Sequence, residues 1–445
     1  MVARKAEAIM RANPFTYGNP ISHPTRFFGR QHEIEQMFSR LRNVEFESSS
    51  LVGERRVGKT SLLNYLAHQD VHRSQGFPPN KYIFVYIDLQ MVDSDTTPQR
   101  LWQRLLQQMA RHCQDDHIRQ MLEETFQMGF IDTFALADIF DSIDNNGLFI
   151  VLLLDEFEHV TENLNFGPDF FYGLRSLAIN HHLALITSSR RDLVDLCHSD
   201  TIRSSPFFNI FANINVRLFT NGEARHLIAS SLSGTQVSFT ESEYEIIFHL
   251  AGYHPYFLQM VCSLLFDASF ENLELVQLKT FLSKTFREKA SPQLDNYWRN
   301  ADDQERIVLT TLALLEKQGK VGERTFFSQR QLQTLYARSD QILLRLEGRG
   351  LLMGIDDTYS LFSASFGEWI RHELTNTVHD HQSYQDWLAS NKSAMELLST
   401  RAKKDVDEIL PKISSRYREL IINWVSDPRH LITVAELLKG VLGIH

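Results

Sequence analysis

One stretch constrains this chain more than any other: Gly53-Glu54-Arg55-Arg56-Val57-Gly58-Lys59-Thr60-Ser61. It follows an extended-looking run at 46–52 and opens a helical run at 61–68. Glycine, four residues, then Gly-Lys-Thr is the spacing of a loop that wraps a polyphosphate. Such a loop must aim several backbone N–H groups at one anion, and its glycines permit the dihedrals and the close approach. The helix after it adds the positive end of its dipole. In that geometry Lys59 reaches the outer phosphates and the Thr60 hydroxyl ligates Mg²⁺, while Arg56, Val57, Gly58 and Ser61 complete the cradle. The plain alternative is a glycine-bearing turn before a helix. The order strand, loop, helix argues against it.

Around this loop the chain alternates strands and helices. Residues 81–89 (KYIFVYIDL) are β-branched and aromatic and predict a strand. Three helical patterns come next, at 101–113, 117–128 and 134–143. They read as an insertion on the sheet between the phosphate loop and the next strand. Phe149-Ile150-Val151-Leu152-Leu153-Leu154 has no alternation, which fits a parallel strand covered on both faces. A helix at 170–179, a short strand at 183–187 and a last strand at 215–219 complete a doubly wound α/β sheet. Helical patterns at 223–232, 241–251 and 255–268 then predict a small α domain. From 302 onward, helices at 305–315, 329–336 and 339–348 precede two short strands at 351–354 and 359–362, the order of a winged helix. Residues 376–445 read as an all-α tail. The expected division is a Pro-rich segment packing on the core (1–26), an α/β domain (27–220), a helical lid (221–300), a winged helix (301–375) and a helical module (376–445).

The chemistry gathers at strand ends. Asp155 closes the apolar strand, where a carboxylate can hold Mg²⁺ through water, and Glu156 beside it can orient or deprotonate an attacking water. The alternative is an Asp-Glu pair at an ordinary strand end. Ser188-Ser189-Arg190-Arg191 comes after the strand expected between those of the phosphate loop and Asp155. Ligands of parallel sheets bind outside the carboxyl ends of the strands. A guanidinium there can sense a terminal phosphate and stabilise transition-state charge. Arg190 is favoured over Arg191, and a solvated loop arginine is the alternative. Gly252-Tyr253-His254-Pro255 joins two helices, and on physics alone it reads as ordinary capping.

Bulk properties limit the alternatives. At 445 residues the chain exceeds one compact core. A net charge of −10 argues against a strongly electropositive surface. Cys113, Cys197 and Cys262 are too few and too scattered for a disulfide framework or a zinc site, and read as buried thiols. No signal core and no membrane-length apolar run is present, so a cytoplasmic protein away from membranes is expected.

These motifs carry a resemblance. Phe27-Phe28-Gly29-Arg30-Gln31-His32-Glu33 resembles the hydrophobic-hydrophobic-Gly-Arg-x-x-Glu signature of STAND-type and archaeal-type P-loop ATPases of the AAA+, origin-recognition-like branch. Ile186-Thr187-Ser188-Ser189-Arg190 is similar to that family's sensor strand, with one extra serine. Gly252 to Pro255 resembles its Gly-x-Pro element, with one residue more. The resemblance implies adenine and ribose contacts near Phe28, Gly29 and Arg30, and further nucleotide contacts from His254 and Pro255. It implies ATP and Mg²⁺ as cofactors and slow hydrolysis of ATP to ADP and phosphate. It also implies a molecular switch that self-associates with nucleotide state and signals to a protein partner, in the manner of prokaryotic conflict signalling. The tail is then either the partner-binding module or a helical extension of the winged helix.

Two other functions fit the same motifs. A DNA-acting ATPase of the origin-recognition or transposition-helper kind would use the winged helix. Its recognition helix offers Arg338, Arg345 and Arg349 but also Asp340 and Glu347, and the wing tip is Asp356-Asp357, which a DNA phosphate would repel. A nucleotide-binding scaffold that never hydrolyses is the other.

Overall fold

The computed structural model describes residues 12–315, 327–328, 339–355 and 358–379. The expected helix at 329–336, Asp356-Asp357 and the tail beyond 379 lie outside them. The described residues divide into two compact units, one of residues 18–227 and one of residues 12–17 with those from 228 to 379. The first therefore takes in residues 18–26 of the Pro-rich segment and extends beyond 220.

In chain order the first unit contains α1 (Gln31–Leu41), β1 (Ser48–Val52), α2 (Lys59–Ala67), α3 (Gln69–Ser74) and β2 (Tyr82–Asp88). It continues with α4 (Pro98–His112), α5 (Asp116–Phe126), α6 (Thr133–Asn145), β3 (Phe149–Asp155) and α7 (Glu158–Thr161). Then come α8 (Pro168–Asn180), β4 (Leu183–Ser189), α9 (Asp200–Arg203) and β5 (Phe211–Asn215). The strands form one parallel sheet in the order β2-β3-β4-β1-β5. β4 therefore lies between the phosphate-loop strand and the Asp155 strand, and all the carboxyl ends share one edge.

β3 shows why its sequence does not alternate. Ile150, Leu152 and Leu154 pack with Leu101, Leu105, Phe140 and Leu174 on one face. Val151 and Leu153 pack with Ile34, Phe38, Leu62 and Leu63 on the other. Each such fully buried side chain stabilises by about 1.5–3 kcal/mol. The stretch expected to be an insertion, α4 to α6, is thus the layer that covers one face of the sheet. Thr97, Asp115 and Asp132 cap their N-termini, each side chain accepting a hydrogen bond from a first-turn amide.

One strand lies earlier in the chain than its sequence predicts. The last strand is Phe211–Asn215, and only its Ile214 is buried. An edge strand with one neighbour needs little apolar character. The more hydrophobic 215–219 stretch comes after it, with the Val216 amide still bonded to the Val52 carbonyl.

The helix α10 (Asn221–Leu232) leads from the first unit to the second. The second unit then contains α11 (Glu241–Ala251), α12 (Pro255–Ala268), α13 (Leu275–Arg299), α14 (Asp303–Leu315), β6 (Phe327–Ser328), α15 (Ser339–Gly348), β7 (Leu352–Ile355), β8 (Thr358–Leu361) and α16 (Ala364–His379). β6, β8 and β7 form an antiparallel sheet. The N-terminal segment packs here in part. The Asn13 side chain donates to Ser263 and Asp267, and Phe15 sits against Phe239 and Phe266. The 25-residue α13 escapes the periodicity reading because its apolar stripe is sparse and Pro292 interrupts it. Cys113 and Cys262 are buried as expected, whereas Cys197 is half-buried, and all three are free.

Candidate functional site

The phosphate loop sits where β1 passes into α2. Gly53 is confined: a Cβ there would lie 2.9 Å from the Val216 carbonyl and 3.0 Å from a Val57 methyl. Gly58 adopts φ +108 and opens the helix, a conformation that costs glycine nothing. Gly53→Ala is expected to lower the stability of this unit by about 1–3 kcal/mol, since backbone must shift to admit the methyl. A denaturant titration that detects no such loss would refute the confinement.

Lys59 is buried, and its Nζ donates to the carbonyls of Gly53 (2.8 Å) and Glu54 (3.2 Å), folding across its own loop. Thr60 is half-buried in the first turn of α2. Ser61 accepts from the Ile21 amide, 2.9 Å. Arg56 takes φ +70 and donates to the Gly18 carbonyl, so the segment before α1 is tied to the loop.

Arg30 braces the loop from behind. It is 3% exposed and donates to Glu33 Oε1 (3.1 Å), to the Arg217 carbonyl and to the Val57 carbonyl (2.9 Å). Its guanidinium lies 4.6 Å from the centre of the Phe219 ring. Burial lowers its pKa, against the pull of Glu33 and Glu223. Gly29 passes close to Phe219 and Glu223, and the Phe28 ring lies 5.7 Å from His226. This cluster holds Val57 in place and so shapes the cradle.

Asp155 ends β3, 2% exposed, with a hydroxyl on each carboxylate oxygen. Tyr86 from β2 donates to Oδ2 at 3.0 Å, and Ser188 from β4 donates to Oδ1. Burial and the Asp155 charge push the Tyr86 hydroxyl up, so it stays a donor. No cluster of three metal-binding side chains exists among the described residues.

The turn after Asp155 is strained. Glu156 has φ +54, and its amide donates to the Ser188 hydroxyl at 3.0 Å. The Phe157 amide donates to the Ser188 carbonyl at 2.8 Å. The Glu156 carboxylate lies 3.5 Å from His159 and its side chain is 20% exposed.

Arg190, just past β4, donates through its backbone amide and Nε to Glu158 Oε1 (3.3 and 3.0 Å) and through Nη2 to Glu162 (3.2 Å). Burial works against its charge, and Glu158 and Glu162 outweigh burial and raise its pKa. The Arg191 carbonyl accepts from the Ser189 hydroxyl. Glu158 and Tyr86 do not stand out in the sequence. The first looks like an ordinary acidic residue in a helix's first turn, and the second like strand filling. Only the strand order β2-β3-β4 makes them site neighbours.

His254 and Pro255 belong to the second unit. Pro255 begins α12, and the buried His254 shares a 3.0 Å hydrogen bond with the Tyr297 hydroxyl and packs beside Phe257 and Phe362. Within that unit this is the geometry of a core histidine joining three elements.

With this site in place, residues 41–319 match the family described as Novel STAND NTPase 2. The chain belongs to that family. Its members are named as NTPases, which agrees with a phosphate loop and a carboxylate at two strand ends on one sheet edge, with β4 between them. No curated protein matches the sequence. Among solved structures the chain is similar to the Walker-type ATPase PABY2304 of Pyrococcus abyssi, at 16% identity over 80% of this chain and 99% of that one, TM-score 0.49. It is also similar to the ORC2 protein of Aeropyrum pernix, at 10% identity over 82% and 98%, TM-score 0.48. A third likeness is to Cdc6p from Pyrobaculum aerophilum, at 14% identity over 82% and 98%, TM-score 0.37. None of the described helices is long and apolar enough to cross a membrane.

Proposed function

We propose that this STAND NTPase hydrolyses ATP and uses the nucleotide as a switch for assembly. The observation that carries the reading is the convergence of three strand ends on one sheet edge. β1 delivers Gly53 to Ser61, β3 delivers Asp155 and Glu156, and β4 delivers Arg190.

The roles derive from charge and position. The loop amides and Lys59 bind the outer phosphates. Thr60 and Asp155 hold Mg²⁺, which neutralises charge on the phosphate oxygens when bound. Tyr86 and Ser188 fix the Asp155 carboxylate for that task. Glu156 orients the attacking water and accepts its proton. Arg190 offers a cation to the terminal phosphate. Arg30, Gly29 and Phe28 set the loop's position and border the nucleoside end.

A nucleotide moves a two-state equilibrium only by binding the two states unequally. A terminal phosphate that one state contacts through Arg190 and the other does not supplies that difference. The segment after 379, rich in leucine, isoleucine and valine, is assigned on sequence alone to a protein partner.

The test is native mass analysis of the full chain with ADP and with a non-hydrolysable ATP analogue. A larger assembly with the triphosphate is expected. The same mass in both states would overturn the switch while leaving hydrolysis to be judged by phosphate release.

A further inference from the structure

Glu158 is a buried acid with no part in the roles assigned so far. Its side chain is 2% exposed. It opens α7, directly after the strained turn at Glu156, and both ends of that short helix are fastened. The Phe157 amide is bonded to the end of β4. At the other end the Thr161 hydroxyl donates to the Leu196 carbonyl at 3.0 Å, and the His198 amide donates to the Thr161 carbonyl at 3.1 Å. The carboxylate is therefore presented from a fixed frame.

Its two oxygens differ. Oε1 accepts from the Arg190 amide and from Arg190 Nε. Oε2 is enclosed and has no hydrogen-bond partner among the described residues. The Lys59 ammonium acts on the same carboxylate electrostatically, so Glu158 stands in the field of both cations assigned to the phosphates. Burial pushes its carboxyl up, while Lys59 and Arg190 pull it back down.

We infer that Glu158 is the positioning residue for Arg190, holding the guanidinium as a fixed cation at the phosphate end of the site. This rests on the reading that Arg190 meets the terminal phosphate. Glu158 takes Nε and Glu162 takes Nη2, so two carboxylates secure one edge of the fork, and Nη1 takes part in neither bond. An Arg190 that swung away would strand Glu158 as a buried, unpaired carboxylate, which is expensive. The arginine is thus held by the cost of releasing it. A cation already in place when charge develops needs no reorganisation.

The competing possibility is a plain ion pair that fastens α7 to β4. Loss of Glu158 has different consequences in the two cases. Affinities for ADP and for a non-hydrolysable ATP analogue are measured on the full chain and on Arg190→Ala, Glu158→Gln and Glu158→Ala. Arg190→Ala is expected to lose the preference for triphosphate. Glu158→Ala is expected to lose about tenfold of that preference, the size of one charge-assisted hydrogen bond, with ADP affinity kept. Glu158→Gln keeps an oxygen for Nε but no charge and is expected to fall between. A Glu158→Ala protein that melts earlier but keeps the wild-type ratio would overturn the proposal. If truncation prevents folding, the isosteric Glu158→Gln decides alone, a lowered ratio supporting the proposal and an unchanged one refuting it. Should Arg190→Ala itself keep the ratio, the sensor assignment falls and the Glu158 role falls with it, which is a different failure.

Discussion

Replacing Lys59 with alanine is expected to weaken nucleotide binding by about 10²–10³-fold, the range for removing one partner from a buried charge pair. Three effects act in the same direction. In its proposed role the ammonium makes a charge-assisted contact to phosphate, worth about 1.5–3 kcal/mol. It also holds the Gly53 and Glu54 carbonyls, so its loss loosens the loop that supplies the backbone donors. Finally it offsets the buried Glu158, whose field would then oppose an incoming phosphate. The bonds to the two carbonyls are charge-assisted as well, so charge carries most of the loss in all three effects. Lys59→Arg keeps the charge but not the shape of a compact ammonium. It should therefore recover part of the affinity, which separates charge from loop geometry. Titration with a fluorescent ADP derivative measures both, with circular dichroism to verify folding. An alanine variant binding within about threefold of wild type, less than ~0.7 kcal/mol, would refute the role given to Lys59.

What can be read from the sequence tracks the strength of local constraint. The phosphate loop is legible because a polyphosphate cradle admits few sequences, and Gly53 and Gly58 are required by crowding and by φ. β3 is legible because burial on both faces leaves no polar position until Asp155. α11 and α12 match their predicted limits, since Thr240 with Glu243 forms a capping box and Pro255 opens a helix. Legibility fails where tertiary position decides. β5 is an edge strand that buries only Ile214, so a neighbouring stretch looks better. Arg30 carries a signature for nucleotide proximity, yet its donors to Glu33, Arg217 and Val57 emerge only from the folded chain. Tyr86 lies many residues from Asp155 and meets it because β2 and β3 pair in register, Asp88 beside Asp155. No local pattern encodes that pairing.

The same limit bears on which carboxylate handles water, since Glu156 and Glu158 are two residues apart and equally acidic in sequence. Their surroundings separate them. Glu158 is enclosed and already committed to Arg190 through Oε1. Glu156 is 20% exposed at the open edge of the sheet, and its carboxylate faces His159 at 3.5 Å. It holds a left-handed backbone conformation, which for a residue with a Cβ costs about 1–2 kcal/mol. The Ser188 hydroxyl on its amide and the Ser188 carbonyl on the next amide maintain that turn. Strain retained beside the carboxylate proposed to hold Mg²⁺ is the kind of feature that serves a site. Glu156→Gln keeps the shape and removes the base. It is therefore expected to lower ATP turnover by about 10²–10⁴-fold, the usual contribution of a positioned general base. Affinity for the triphosphate should stay within a few-fold, so the variant accumulates bound ATP. Phosphate release in single-turnover conditions, read beside ATP retention on a desalting column, tests both halves. Glu158→Gln gives the opposite signature, a lowered preference for triphosphate. If Glu156→Gln turned over normally and Glu158→Gln did not, the two roles would have to be exchanged, with the buried acid acting on water and Arg190 serving only to hold it.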